Sequence, residues 1–368
     1  MASSTSLGNV ASGRDNNFLL MRLIAASAVL LSHSYTLATG SSASEPLRST
    51  LSMSLGDMAV DVFFATSGFL VAASLIRRAS ITKFLAARTL RIYPGLVVAV
   101  LFTVFVVGPL FTKLPLVAYL SSIETLTYLI RTSTLVFNVG FTLPGVFESN
   151  PWPHGVNASL WTLPYEISMY ALLATLSSVM RRRASGFSER MQTASVIIAF
   201  VALLLYLVAY AYWRPSALLR LTAMFWSGVA YYFLRDRIKL SWPLAIALLT
   251  LLASTSSHEF HFHLVYGLAL PYLVLCASYL PGGRVRLFNR FGDYSYGIYI
   301  YGFPIQQCVT ALLPNASIGW MFALSLFVTF ILALGSWHLI EKPFLSFKMH
   351  RVDTNLSGIG IARTEQAE

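Results

Sequence analysis

Residues 18–37 read FLLMRLIAASAVLLSHSYTL, an apolar run interrupted by two ionisable side chains, Arg22 and His33. Some twenty apolar residues in α-helix are about what is needed to cross the hydrocarbon layer of a membrane. An ionisable group held at such depth costs at least about 2.5 kcal/mol, so its presence marks a functional candidate. Ten residues separate the two. Eleven helical steps turn the chain about 20° beyond three full turns and raise it about 16 Å. Arg22 and His33 therefore share one face of the helix, one near each end.

The rest of the chain repeats this apolar character. It has 368 residues, 56% of them hydrophobic and only 11% charged, with a mean hydropathy of +0.66. Soluble chains carry roughly 25% charged residues, so the composition excludes an ordinary soluble domain and implies an all-α polytopic membrane protein. Apolar segments lie near 18–38, 56–76, 84–111, 160–180, 192–212, 216–234, 242–257, 262–280, 294–313 and 318–341, which predicts about ten transmembrane helices. A further segment near 116–137 contains Glu124 and Arg131 and is rich in Ser and Thr. It is expected to lie in the interface or to re-enter rather than cross.

The formal charge of +11 does not indicate nucleic acid, because the basic residues fall in short clusters between apolar runs. With 116–137 not crossing, the clusters alternate. Arg77, Arg78 and Lys83 fall on one side, as do Arg181, Arg182, Arg183 and Arg190. So do Arg235, Arg237 and Lys239, then Arg284, Arg286 and Arg290, and finally Lys342, Lys348 and Arg351. The other side carries Arg48, Lys113, Arg131, Arg214 and Arg220. The positive-inside rule then puts both termini in the cytoplasm and the protein in the inner membrane as a multi-pass chain. The divisions expected are a polar N-terminal tail over 1–17, a transmembrane domain over 18–345 and a cytoplasmic C-terminal tail over 346–368. The first apolar run carries Arg22 and has no small-residue cleavage site behind it, so it reads as a retained helix and not a cleaved signal. Cys276 and Cys308 lie in apolar runs and are expected to be buried thiols.

Depth, at about 1.5 Å per residue, sorts the remaining ionisable groups into two layers. Arg22 with Arg88 and Arg91 of ARTLRIYP lie near the cytosolic side, as an anion pocket or as cations snorkelling to lipid phosphates. His33, Asp61 of VDVFFATSGFL and Glu166 of SLWTLPYE are each expected about 8–9 Å below the outer surface. An imidazole titrating near neutrality beside a carboxylate suits general-base removal of a hydroxyl proton. Each of the three also has a structural reading as a satisfied core group or ion-pair partner. Ser67 and Gly68 are small residues of the kind that let helices approach closely. His258, His261 and His263 have no clean metal-ligand spacing, so no metal is expected. Tyr294, Tyr296, Tyr299 and Tyr301 suit either a carbohydrate path or interface anchoring.

These motifs together resemble acyltransferase family 3, the integral membrane O-acyltransferases of the bacterial glycan O-acetyltransferase type. The resemblance covers nearly all of 16–345. It rests on Arg22 and His33; on Asp61, Phe63, Phe64, Ser67, Gly68 and Phe69; on Arg88, Arg91 and Pro94; on Trp161 and Glu166; and on Glu341 and Pro343 of EKPF. It implies transfer of an acyl group, normally acetyl from cytosolic acetyl-CoA, to a hydroxyl of an exported glycan, lipopolysaccharide or glycolipid. His33 would be the catalytic base, with Glu166 and Asp61 as acidic members. Arg22, Arg88 and Arg91 would meet the coenzyme. Trp161, Ser67 and Tyr296 are assigned to substrate. The partners implied are a glycan or lipid-linked glycan acceptor, the CoA thioester, membrane lipids and glycan-assembly proteins. One departure is Gly302 in YIYGFPI, where the family often has histidine. The rival reading is a transporter or flippase, which also uses buried charge and Pro-broken helices, but no internal repeat is visible.

Overall fold

The computed structural model describes residues 5–346 except 14, 79, 137, 154, 183, 184, 214 and 215. Arg183, Arg214, Lys348, Arg351 and the tail from 347 onward lie outside the described residues. Ten long helices account for most of the rest. They are α1 (Phe18–Thr39), α2 (Leu55–Arg78), α3 (Ile81–Phe102), α4 (Leu163–Arg181) and α5 (Phe187–Tyr212). Then come α6 (Ala217–Phe233), α7 (Trp242–Thr255), α8 (Glu259–Tyr279), α9 (Ser295–Leu312) and α10 (Ile318–Ser336). Each apolar segment expected from the sequence falls on one of them. Among the described residues, six helices are long and apolar enough to cross a membrane: α1, α2, α5, α8, and α3 and α10 with their extensions to Phe111 and Ser346.

The centre of the bundle is α2, packed between α1 and α6. Gly68 and Gly228 make the α2–α6 contact possible. A methyl group on Gly68 would overlap the Phe225 carbonyl oxygen, and one on Gly228 would overlap that of Ala65. Close approach through small residues is the usual way helices gain packing energy in lipid. On the other side, α9 lies against α1, where the Gln306 amide donates to the Leu30 carbonyl at 2.7 Å and to Ser34 Oγ at 2.7 Å.

The segment near 116–137 is not one continuous helix among the described residues. It forms two short helices, Leu116–Ser121 and Ile123–Thr134, and the chain then returns to where it left. Thr112 pairs with Val146, and the Lys113 amide donates to the Gly145 carbonyl at 3.1 Å. The excursion is amphipathic. Val117 is 80% and Ile123 72% exposed, while Tyr119, Tyr128 and Thr132 are buried. Buried Tyr119 donates its hydroxyl to the Val104 carbonyl at 2.9 Å, inside the π-turn Thr103–Val107 that bends α3. The turn widens the helix there, and the phenol satisfies the backbone group it exposes.

Two features are not visible in the sequence. The described residues of the polar 1–17 stretch dock on the bundle. Thr5–Ser6 pairs antiparallel with Lys239–Leu240, and Leu7 is 0% exposed. The Leu7 and Gly8 amides donate to the Ile238 and Arg235 carbonyls, and the Asn17 side chain donates to the Pro281 carbonyl. This docking sets the start of α1 at the same end of the bundle as the basic α6–α7 and α8–α9 connections.

The second feature is at α4. The sequence suggests a span from residue 160 at a membrane surface. The chain instead descends without helical structure, makes a 3-10 turn at Ala158–Thr162 and starts α4 inside the bundle at Leu163, with Pro164 in the first turn, where its missing N–H costs nothing. Irregular backbone at such depth must be satisfied by protein. Asn157 donates to the Ile300 carbonyl at 2.8 Å, Gln307 to the carbonyls of Trp152 and Gly155, and Asn150 to Gln307 Oε1 at 2.7 Å.

Candidate active site

The shared face of α1 opens onto two cavities. Arg22 lines one of about 480 Å³, together with Phe63, Ser67, Glu166, Ser295 and Tyr296. His33 lines the other, of about 700 Å³, together with Glu45, Arg48, Asp57, Ser159 and Trp161. Val60 and Tyr299 line both, so the two chambers meet at these side chains.

In the His33 chamber the imidazole packs edge-on to Phe303, with ring centroids 5.1 Å apart. Its Nδ1 is buried and has no hydrogen-bond partner. The expected neighbour, Asp61, does not line this chamber. Asp61 is 0% exposed, and its Oδ2 accepts from Arg220 at 2.7 Å and from Tyr266 at 2.9 Å. The carboxylate that does face the chamber is Asp57, one turn nearer the helix start and missed by the sequence reading. Arg220 holds Asp57 Oδ1 at 3.0 Å, and Arg48 and Ser54 hold Oδ2 at 3.1 and 2.7 Å. The signal was present: Asp57 and Asp61 are four apart, so one guanidinium can bridge them.

Glu166 also departs from the depth expected of it. Because α4 starts inside the bundle, Glu166 falls in the Arg22 chamber and not beside His33. It accepts hydrogen bonds from Ser67 at 3.3 Å and from Tyr170, and those two hydroxyls lie 2.9 Å apart. Trp161, just before α4, stays in the His33 chamber.

The three arginines assigned to a coenzyme differ in what they already hold. Arg91 donates to Asp293 at 2.5 Å and to Glu341 at 3.0 Å, and lies over the rings of Tyr296 and Trp337. Its guanidinium is thus occupied by two carboxylates, and the EKPF glutamate acquires a structural reason. Arg22 makes only long contacts, 3.4 Å to Ser295 Oγ and 3.9 Å to Asp293. Arg88 makes no ion pair or hydrogen bond among the described residues, and its Nε is buried without a partner. Its electrostatic neighbours include Tyr170 and Glu166, which links it to the Arg22 chamber. Asp293 sits between Arg22 and Arg91. Burial would raise its pKa, but Arg22, Arg91 and hydrogen bonding by Ser295 outweigh that and bring it down to about 2. Tyr296 lines the Arg22 chamber with its hydroxyl tied to the Ile92 carbonyl at 2.7 Å. At Gly302, a Cβ would lie 2.6 Å from Leu30 Cδ1, so α1 occupies the space a larger residue there would need.

Comparison with known proteins agrees with this architecture. Residues 16–339 match the acyltransferase 3 family, described as "Acyltransferase domain". The chain belongs to the acyltransferase 3 family. Among its relatives, an "O-acetyl transferase" of Shigella phage Sf6 is 28% identical over 346 residues, 90% of this chain and 97% of that protein. "Nodulation protein 10" of Rhizobium leguminosarum bv. viciae is 30% identical over 385 residues, 94% of this chain and 97% of that protein. No solved structure matches. The protein is therefore a multi-pass membrane O-acyltransferase.

Proposed function

We propose that this acyltransferase takes an acyl group, acetyl in the first instance, from a cytosolic CoA thioester and transfers it across the inner membrane to a hydroxyl of an exported glycan, lipopolysaccharide or lipid-linked sugar. The observation that carries the reading is the meeting of two chambers at Val60 and Tyr299, one with Arg22 and the other with His33. The basic connections and the docked N-terminus share one end of the bundle, which the positive-inside rule assigns to the cytoplasm. With both termini there, all ten helices cross.

On this reading the thiol end of the coenzyme enters from the basic end, and Arg22 and Arg88 hold its anionic groups. Arg88, half-buried with its Nε buried and unpartnered, suits a phosphate oxygen. Arg91 acts through structure, fixing Asp293 and Glu341 around the entrance. The acceptor sugar enters the His33 chamber, where Trp161 offers an aromatic face to its ring. His33 takes the proton of the acceptor hydroxyl as its oxygen bonds to the acyl carbon. The carbon–sulfur bond breaks, and the sulfur leaves as thiolate and takes a proton from the cytosolic side. His33 then releases its proton outward. The products are the ester and free CoA. Asp57, held by Arg220 and Arg48, stabilises the charged imidazole.

The test is His33→Ala in inverted membrane vesicles supplied with acetyl-CoA, reading thiol release and ester on vesicle glycan. Both should fall by at least about a hundredfold, the usual contribution of a positioned base. Unchanged thiol release in a correctly inserted variant removes His33 from the chemistry.

A further inference from the structure

The two chambers meet at a wall of two side chains, one of them braced on several sides. Val60 comes from α2 and Tyr299 from α9, and they are 6% and 9% exposed, yet each touches both cavities. The tyrosine cannot swing aside. Its hydroxyl donates to the Ser159 carbonyl at 2.5 Å and lies 2.6 Å from Thr162 Oγ1. Its ring is braced edge-on by Phe63, with centroids 5.9 Å apart. Ser159 and Thr162 belong to the 3-10 turn before α4, which the surrounding side-chain amides hold in the interior.

We propose that Val60 and Tyr299 form a collar that sets the length of the acyl group this enzyme transfers. The inference rests on the acyl-transfer reading above and adds to it a specificity determinant. The thioester carbonyl must be reachable from the Arg22 chamber, which holds the coenzyme end, and from the His33 chamber, which holds the acceptor. The only side chains common to both are these two among the described residues. On this proposal the acyl group passes between a branched aliphatic side chain and a pinned phenol ring, neither of which offers it a charge partner. Each added methylene must fit between groups that do not yield. In an apolar pocket one methylene too many reduces kcat/KM by roughly ten- to two-hundredfold. Val60 governs width directly. Tyr299 governs stiffness, since loss of its hydroxyl frees the ring from Ser159 and Thr162.

The experiment uses inverted vesicles carrying the full chain, with acetyl-, propionyl- and butyryl-CoA in parallel, and reads the part of thiol release that His33→Ala abolishes. The wild type should fall steeply from acetyl to butyryl. Val60→Ala should raise the butyryl-to-acetyl ratio of kcat/KM by about tenfold or more, and Val60→Leu should lower the propionyl-to-acetyl ratio. Tyr299→Phe should flatten the series by a smaller factor. If active Val60→Ala and Tyr299→Phe proteins keep wild-type ratios within twofold, the collar is refuted while acyl transfer stands. Loss of all turnover in well-inserted Val60→Ala and Val60→Leu variants refutes it as well, because selectivity without chemistry is what the collar supplies. A wild type silent with every thioester overturns the transfer reading itself, and that failure is visible before any variant is made.

Discussion

Asp61 and Arg220 offer a sharp test of which buried charges are framework and which belong to the site. Arg220 makes three contacts: Asp61 Oδ2 at 2.7 Å, Asp57 Oδ1 at 3.0 Å and the Asp57 carbonyl at 3.1 Å. Asp61 has two partners for the same oxygen, Arg220 and Tyr266 at 2.9 Å. Removing one member of a buried ion pair costs about 3–5 kcal/mol, because the other is left charged and desolvated. The contacts set the order within that range. Asp61→Asn leaves Arg220 still paired with Asp57, so the loss should be near the lower end, about 3 kcal/mol. Arg220→Met strands Asp61 with Tyr266 alone and also leaves Asp57 Oδ1 without its guanidinium partner, so the loss should approach about 5 kcal/mol. At roughly 2 °C per kcal/mol for a chain of this size, midpoints should fall by about 6 °C and 10 °C.

The chain carries its own reporters for this measurement. Cys276 and Cys308 are both free thiols, the first buried and the second half-buried, so a thiol-reactive dye in mild detergent reads unfolding directly. Turnover measured well below the midpoint separates framework from chemistry. Asp61→Asn should retain thiol release from acetyl-CoA within a few-fold. Arg220→Met should lose more, since Asp57 in the His33 chamber then keeps Arg48 and Ser54 on Oδ2 but loses the partner of Oδ1. An Asp61→Asn protein of wild-type stability but without turnover would refute the assignment and return Asp61 to the reaction. An Arg220→Met protein more stable than Asp61→Asn would refute the contact order on which the magnitudes rest.

Two further outcomes follow from the basic end of the bundle. Arg88→Ala should raise KM for acetyl-CoA by about tenfold or more with kcat little changed, because a charge-assisted contact to a coenzyme anion is worth about 1.5–3 kcal/mol in ground and transition state alike; a fall in kcat at constant KM contradicts that role. Asp293, depressed from 3.8 to about 2, contributes about 2 kcal/mol that is fully present above pH 3.8 and lost as pH falls through about 2. Acid titration of thermal stability should show this loss in the wild type between about pH 4 and 2, and Asp293→Asn should lack that part of the slope; identical slopes in the two proteins contradict the depressed value.

What the sequence could reveal depended on how local the cause was. Arg22 and His33 were legible because helical geometry alone fixes their relation, eleven steps on one helix. The break of 116–134 into two short helices was legible because Glu124, Arg131 and frequent Ser and Thr interrupt its apolar character, and the pairing of Thr112 with Val146 brings the chain back to its starting point. Arg220 was misread as a surface cation because it opens α6, and its two carboxylates are about 160 residues away in sequence. Arg91 was read as available for the same reason, with Asp293 and Glu341 supplied by α9's approach and α10's end. Asp57 and Asp61 show a different limit. They differ by one turn, and a one-turn error in a helix start exchanges the group facing the chamber for the one behind it.

Glu166 shows why depth counting fails where it matters most. The estimate assumed a helix beginning at the membrane surface, which holds for apolar segments whose backbone satisfies itself. Between Asn150 and Thr162 it does not, and the chain can descend only because Asn150, Asn157 and Gln307 supply the bonds that lipid cannot. Nothing in the local sequence marks these amides as scaffolding, because their partners lie about 140–160 residues away. Yet they bring the 3-10 turn, and with it Ser159 and Thr162, against Tyr299. The Tyr299 side of the wall between the two chambers is therefore braced by irregular backbone, held by amides far from the charged motifs. Under the proposed function, an arrangement of this kind would separate a coenzyme from its acceptor while leaving one point of contact.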